Sequence, residues 1–124
     1  MQLSTHSKRQ ILDITDDVAA QLAGNGIAAV FVQHTTAALT IMDLDPGTDQ
    51  DLLDFFDSLV PDNQWRHPHD PSHTPDHLLA SLVGPSIVVP VTEGRLQLGS
   101  WQRIVLLEFD GPRDRTITVT VMTT

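Results

Sequence analysis

Polar and apolar residues alternate through Leu3 and Thr5 and again from Ile11 to Ile14, the period of short strands with one buried face, which predicts a hairpin-like pair at the amino terminus. Thr15 and Asp16 can cap a short helix over Asp17 to Ala23, with Val18 and Leu22 one turn apart and Gly24 ending it. Ile27 to Gln33 is a continuous apolar run bounded by Asn25-Gly26 and by His34-Thr35-Thr36, as a buried central strand requires, and Ala38 to Met42 reads as the next strand. Asp45-Pro46 is a helix start, followed by Leu52, Phe55, Phe56, Leu59 and Val60 at helical spacing.

From Pro61 to Pro75 there are four prolines and no hydrophobic period, so a long loop is expected, of the length that in a compact domain usually carries function or stays disordered. Thr74-Pro75 starts a third helix, with Leu78, Leu79, Leu82 and Val83 expected on the core side and Gly84-Pro85 as the stop; His77, Ala80 and Ser81 share a different, smaller face. The remainder reads as strands at Ile87–Val91, Leu96–Leu98, Arg103–Phe109 and Thr116–Met122, with turns at Glu93-Gly94 and Asp110-Gly111-Pro112. This order predicts an α+β fold: an antiparallel β-sheet with about three helices packed on one side.

Composition narrows the classes. The 124 residues suit one hydrophobic core, so a single domain over 1–124 is expected, and 40% hydrophobic against 19% charged residues is a globular balance. A formal charge of -9 opposes phosphate backbones and anionic lipid, which excludes nucleic-acid and membrane-surface roles. No apolar run approaches the roughly 20 residues of a membrane span, and MQLSTHSKRQ lacks the apolar core of a secretion signal, so a cytoplasmic location is expected. With no cysteine, any metal must be held by nitrogen and oxygen.

Five of the six histidines are His34 and the cluster His67, His69, His73 and His77. Imidazole is the commonest transition-metal ligand, and two or three such nitrogens build sites with a position left open. The same cluster is also what a polar, exposed loop would contain. His34 ends a buried strand ahead of two threonines, where its imidazole can emerge at a sheet edge, or be satisfied in the core by a threonine hydroxyl.

Asp43, Asp45, Asp49, Asp51, Asp54 and Asp57 crowd the second helix and its entry, where the helix dipole and a solvated face account for them; the glycine and terminal glutamate of a calcium loop are missing. Ser100, Trp101 and Gln102 set a hydroxyl, an indole and an amide side by side, suited to stacking a planar heterocycle or to filling the core. Glu108 is a candidate general acid or base if its side chain points toward the histidines. There is no glycine-rich phosphate loop, nucleophile elbow or dinucleotide fingerprint.

The blocks QHTTAALTI, WRH, DHLLASLVGPSIVVPV, GRLQLGSWQRIVLLEFDGPR and TVTVM, in this order, resemble the YjbQ-like family, described as secondary thiamine-phosphate synthase enzymes. The resemblance implies a small α+β homotrimer with histidines near a subunit boundary as a metal or substrate site. Position by position it implicates His34, Thr35, Thr36, His67, His77, Ser100, Trp101 and Gln102, with Met42 and the segment around His73, Pro75 and Asp76 departing from its usual pattern. The activity it implies joins an aminopyrimidine pyrophosphate to a thiazole phosphate, which calls for a divalent cation and cationic phosphate contacts. For the latter the chain offers Arg66, Arg95, Arg103, Arg113 and Arg115.

Three expectations follow. One is an enzyme in which His34, His67 and His77 hold a divalent metal (zinc or another transition metal, or magnesium for a pyrophosphate substrate), with Glu108 as a further catalytic candidate. In it Trp101 stacks a ring, and Thr35, Thr36, Ser81, Ser100 and Gln102 orient a small-molecule substrate. A second uses the same metal to activate water for hydrolysis. The third is a non-catalytic trimeric binding protein.

Overall fold

A computed structural model describes residues 1–124. The chain runs β1 (Gln2–Ser4), β2 (Gln10–Asp13), α1 (Thr15–Ala19), β3 (Gly26–Val32), β4 (Ala37–Met42), α2 (Thr48–Ser58), a short 3-10 turn (Pro71–His73), α3 (Thr74–Val83), β5 (Ser86–Thr92), β6 (Arg95–Leu96), β7 (Arg103–Glu108) and β8 (Asp114–Thr123). The α+β class and three helices are as expected, but the strands form two antiparallel sheets, one of five strands in the order β1-β8-β3-β5-β6 and one of three in the order β2-β7-β4. No helix is long and apolar enough to cross a membrane.

The need for two sheets is written in β7. Ile104 and Leu106 pack into one core with Val30, Val32, Val89 and Ile117 of the large sheet. Val105, Leu107 and Phe109 pack into a second with Phe56 of α2 and Leu79 and Ala80 of α3. A strand apolar on both faces must be covered on both, and here one face meets the large sheet and the other meets two helices. The result is three layers, in which α2 and α3 cover the small sheet's outer face.

The helices sit differently from the periodicity. α1 begins at Thr15, not Asp17, and its entry is held by Asp13, whose carboxylate accepts the Thr15 N–H (3.0 Å) and hydroxyl (2.7 Å). In α2 only Phe56 is fully buried; Phe55 and Leu59 are exposed. In α3 the inward residues are Asp76, Leu79 and Ala80, with Val83 packed against them, while Leu78 and Leu82 face out. The cause is Asp76: Lys8 Nζ lies 2.5 Å and Arg9 Nη2 3.1 Å from its carboxylate, and turning it toward these cations carries the i+3, i+4 and i+7 positions inward.

Candidate functional site

The inter-sheet space is apolar except at one end, where the turn between β3 and β4 crosses the start of β8. There Glu108 and Arg115, 0% and 1% exposed, face each other. Alternation explains why: Glu108 shares a face of β7 with Ile104 and Leu106, and Arg115 shares a face of β8 with Ile117, so both point into the sandwich. The Arg115 guanidinium donates to Glu108 through both Nε (2.9 Å) and Nη2, and Nη2 also donates to the Thr36 hydroxyl (2.9 Å) and carbonyl (3.2 Å). Thr5 donates its hydroxyl to Glu108 at 2.6 Å, and the Asp110 N–H lies 3.2 Å from its other oxygen. Burial pushes the Glu108 carboxyl up, but these hydrogen bonds outweigh it and hold its pKa below the usual glutamate range.

Above this pair lies a depression of about 560 Å³ with no hydrophobic residue in its wall. The β3–β4 turn contributes Gln33, His34, Thr35 and Thr36; the 3-10 turn and α3 contribute His73 and His77; the β7–β8 turn and β8 contribute Asp110, Arg113, Asp114 and Arg115. His34 is fixed from one side: the Thr116 backbone N–H donates to its Nε2 at 2.8 Å. Its proton therefore sits on Nδ1. Burial, and then the positive charge of Arg115, lower its pKa, which favours the neutral imidazole. The satisfied-histidine expectation holds in part, the partner being a backbone amide in place of a threonine hydroxyl. Ser81 joins His34 and Thr35 around a smaller adjoining depression of about 180 Å³.

His77 stands in the main pocket with the His67 ring tilted against it, centroids 4.6 Å apart; His67 itself lies behind the wall. His73 reaches two carboxylates, Nδ1 lying 3.3 Å from Asp110 and Nε2 3.2 Å from Asp70. His69 is exposed, at a positive φ of 69°. Asp110 ties the region together: Lys8 Nζ is 2.9 Å from one oxygen and Arg113 Nη2 3.0 Å from the other. Burial raises the Asp110 pKa, but the Lys8 and Arg113 hydrogen bonds prevail and lower it. The next residue must be glycine, because a Cβ on Gly111 would fall 2.2 Å from the Ser7 carbonyl oxygen.

Two of the expected assignments meet other partners in this geometry. Glu108 does not line the pocket, and a carboxylate with both oxygens engaged and its pKa lowered cannot serve as the general acid or base; its partner is Arg115 and not a histidine. Of the expected metal set His34, His67 and His77, the structure brings the His67 and His77 rings together and bonds His34 to the backbone. A ligating imidazole must offer the metal a lone pair, and His34 has none free, since Nε2 accepts from Thr116 and Nδ1 carries the proton. No three His, Asp or Glu side chains of the chain converge as a metal-holding group.

Ser100 and Trp101 lie elsewhere, around a depression of about 240 Å³ with Asp13, Asp43, Asp45 and Arg103 that shares no wall residue with the histidine pocket. Gln102 turns back on its own loop, its Oε1 accepting the Gly99 N–H at 2.8 Å. Within one chain, then, the expected site divides: His34, Thr35, Thr36 and His77 come together with Ser81 adjoining, and the 100–102 segment forms a separate corner.

Gln33, Asp110 and Asp114 are pocket residues not singled out from the sequence, and Arg113 and Arg115 entered only among five candidate phosphate contacts. Asp110-Gly111-Pro112 is a turn by composition, which hides the role of its aspartate. The available signal was parity: Glu108 falls in phase with buried residues of β7, and a carboxylate on a core face requires a nearby cation.

Comparisons with known proteins agree with this architecture. The chain matches the family described as UPF0047 protein YjbQ-like over residues 1–124. A UPF0047 protein of Archaeoglobus fulgidus is 43% identical over 121 residues, covering 96% of each chain. A solved YjbQ/UPF0047-family structure from Clostridium acetobutylicum is similar with a TM-score of 0.89 at 38% identity, over 98% of each chain. A hypothetical protein of Aeropyrum pernix K1 gives 0.92 at 36% identity, over 100% of this chain and 96% of that one. With the fold, the order of its sequence blocks and these likenesses in agreement over the full length, the chain belongs to the YjbQ-like UPF0047 family.

Proposed function

We propose that the polar pocket is the active site of a small-molecule enzyme that works by histidine acid–base chemistry. The observation that carries this reading is the setting of His34: an imidazole whose Nε2 accepts the Thr116 amide, which leaves Nδ1 to donate, in the wall of a depression lined only by polar groups. A hydrogen-bond donor of fixed direction stabilises charge that develops on a substrate atom, and a nearby imidazole, here His77, can accept or return a proton. Thr35 and Gln33 supply orienting hydrogen bonds. Arg113 commits Nε and one Nη to Asp110, so the remaining guanidinium donors of this exposed side chain are free to meet an anionic group.

The named reaction closest to this reading is the thiamine-phosphate condensation that the resemblance implies. Purified protein is supplied with the aminopyrimidine pyrophosphate and thiazole phosphate, with magnesium in one arm and chelator in another, and thiamine phosphate is quantified. Product above a protein-free blank, reduced on the order of a hundredfold by His34→Gln, supports both the pocket and the reaction. No product in either arm removes this reaction, and product unaffected by His34→Gln removes the pocket as its site.

The homotrimer also belongs here. On the large sheet's outer face Ile27 pairs in register with Pro90 and Met122, and Ala29 with Val88, with Ile27, Phe31, Val88 and Met122 all exposed. An apolar surface of that kind marks an association face. Light scattering on the eluting protein gives the subunit number, and a monomer with this face in water would sink the inference.

A further inference from the structure

The pocket's floor is costly to build. Thr5, Thr36, Glu108 and Arg115 are all buried polar groups, and a buried ion pair seldom stabilises a fold more than apolar residues of the same shape. Their arrangement gives them another use. Arg115 donates inward to the Thr36 hydroxyl and carbonyl, while the next residue, Thr116, donates its N–H to His34 Nε2 and accepts the Gln33 N–H at 3.1 Å. The Thr36 carbonyl also accepts the Phe109 N–H at 3.1 Å, one residue beyond Glu108. The β3–β4 turn is thus pinned to β8 at one end through Thr116 and at the other through Arg115, and Glu108 fixes the guanidinium that does the second pinning.

We infer that the buried Glu108–Arg115 pair positions His34, holding the β3–β4 turn in the one register where the Thr116 amide meets Nε2 and so keeping the imidazole proton on Nδ1. Glu108 and Arg115 are positioning residues in this account, and the account rests on His34 being the working group of the pocket. An imidazole freed from the Thr116 amide has no bond that selects a tautomer, and it then distributes its proton between both nitrogens. A pair that merely filled space would leave that distribution untouched.

The test reads the tautomer directly and needs no substrate. Protein with 15N-labelled histidine is observed at neutral pH through the imidazole nitrogen shifts and the Thr116 amide, in the wild type and in Glu108→Gln and Arg115→Lys. The wild type shows His34 with a protonated Nδ1 and an acceptor Nε2. In folded variants the single tautomer is lost to a mixture and the Thr116 amide shifts, while His73 and His77 keep their signals. A folded variant that retains the Nδ1–H tautomer overturns the inference. If neither substitution folds, the double replacement Glu108→Leu with Arg115→Met removes both charges together with the grip on the Thr36 hydroxyl and carbonyl, and an unchanged tautomer in that variant overturns it equally. Failure of the catalytic reading is separate: His34→Gln with undiminished product would discard the role of His34, whatever its tautomer does.

Discussion

The two corners of the molecule that carry its unusual side chains are built on opposite principles. At the histidine corner polar groups are bound from one element to another: Thr5 to Glu108, Glu108 to Arg115, Arg115 to Thr36, Thr116 to His34 and Lys8 to both Asp76 and Asp110. At the tryptophan corner Ser100, Trp101 and Gln102 are exposed, and Gln102 bonds only to Gly99 in the same loop, while Arg103 beside them pairs with Asp13 at 2.8 Å. The first corner is held across elements before any ligand arrives; in the second, the segment 100–102 is held only by its own loop. A site that must keep a hydrogen-bond donor aimed belongs in the first kind of setting, and the difference separates groups equally conspicuous in the sequence.

The largest expected effect tests that contrast at its centre. Arg115→Ala leaves Glu108 buried without its cation, which costs about 3–5 kcal/mol in urea unfolding. Replacing both partners, as Glu108→Leu with Arg115→Met, removes the two charges together and recovers most of the loss. A loss below about 1 kcal/mol for Arg115→Ala would show the corner to be looser than its bonds imply. Next in size is Asp76→Ala, which strands Lys8 and Arg9. Lys8 is half-exposed and can be rehydrated, whereas Arg9 lies over the Phe109 ring, 5.5 Å from its centroid, so a cost of about 2 kcal/mol is expected from the same measurement.

Asp76 also shows what the sequence could convey. Strand and helix periods located every main element and the α+β class, because β4, β7 and the apolar stripe of each helix are local patterns. The rotation of α3 was not local: it depends on Lys8 and Arg9, 68 and 67 positions before Asp76, and no helical period registers them. The second sheet was legible in principle from the apolar residues on both faces of β7, but such a run is equally consistent with the middle of a single buried sheet. Among site residues, His34 and His77 stand out by type, since few histidines sit at a strand end or a helix start. Arg115 does not, because an arginine just ahead of an alternating threonine–valine run reads as the polar end of a turn, although it is buried.

The pH dependence of stability sharpens the comparison with a smaller signal. Glu108, Asp110 and Asp13 have lowered pKa values, against ordinary values of 4.5 for the glutamate and 3.8 for the aspartates. Each contributes stability that is complete above its ordinary value and is lost as pH falls through its folded one, because the unfolded chain takes up the proton first. His34, lowered from 6.5, acts with the same sign at a higher pH: below 6.5 the unfolded imidazole protonates while the folded one does not. Lys8 is opposite in sign, raised from 10.5 by Asp76 and Asp110 against the lowering effect of burial, so its contribution is lost only as pH rises beyond 10.5. Stability by urea midpoint should therefore be level between 6.5 and 10.5, decline gently below 6.5, and fall steeply in the carboxylate range. His34→Gln should remove the gentle decline and leave the steep one. A decline that persists in that variant would assign it to another histidine.

The smallest expected effect lies at the other corner. Trp101 is 71% exposed, so Trp101→Ala should change the urea-unfolding free energy by no more than about 0.5 kcal/mol and leave the His34 nitrogen shifts where they were. It should also remove the fraction of emission that iodide quenches readily, since Trp65, the other indole, is partly covered by the loop and α3. The informative exception concerns activity. Within one chain the indole shares no wall with the histidine pocket, so product formation should not depend on it. If Trp101→Ala abolishes product while stability and the His34 tautomer stay unchanged, the two corners work as one site. Only the Trp101 corner of a second copy can then supply the missing wall, and mixing Trp101→Ala with His34→Gln protein would restore activity in the mixed assemblies, where an intact half of each kind can meet.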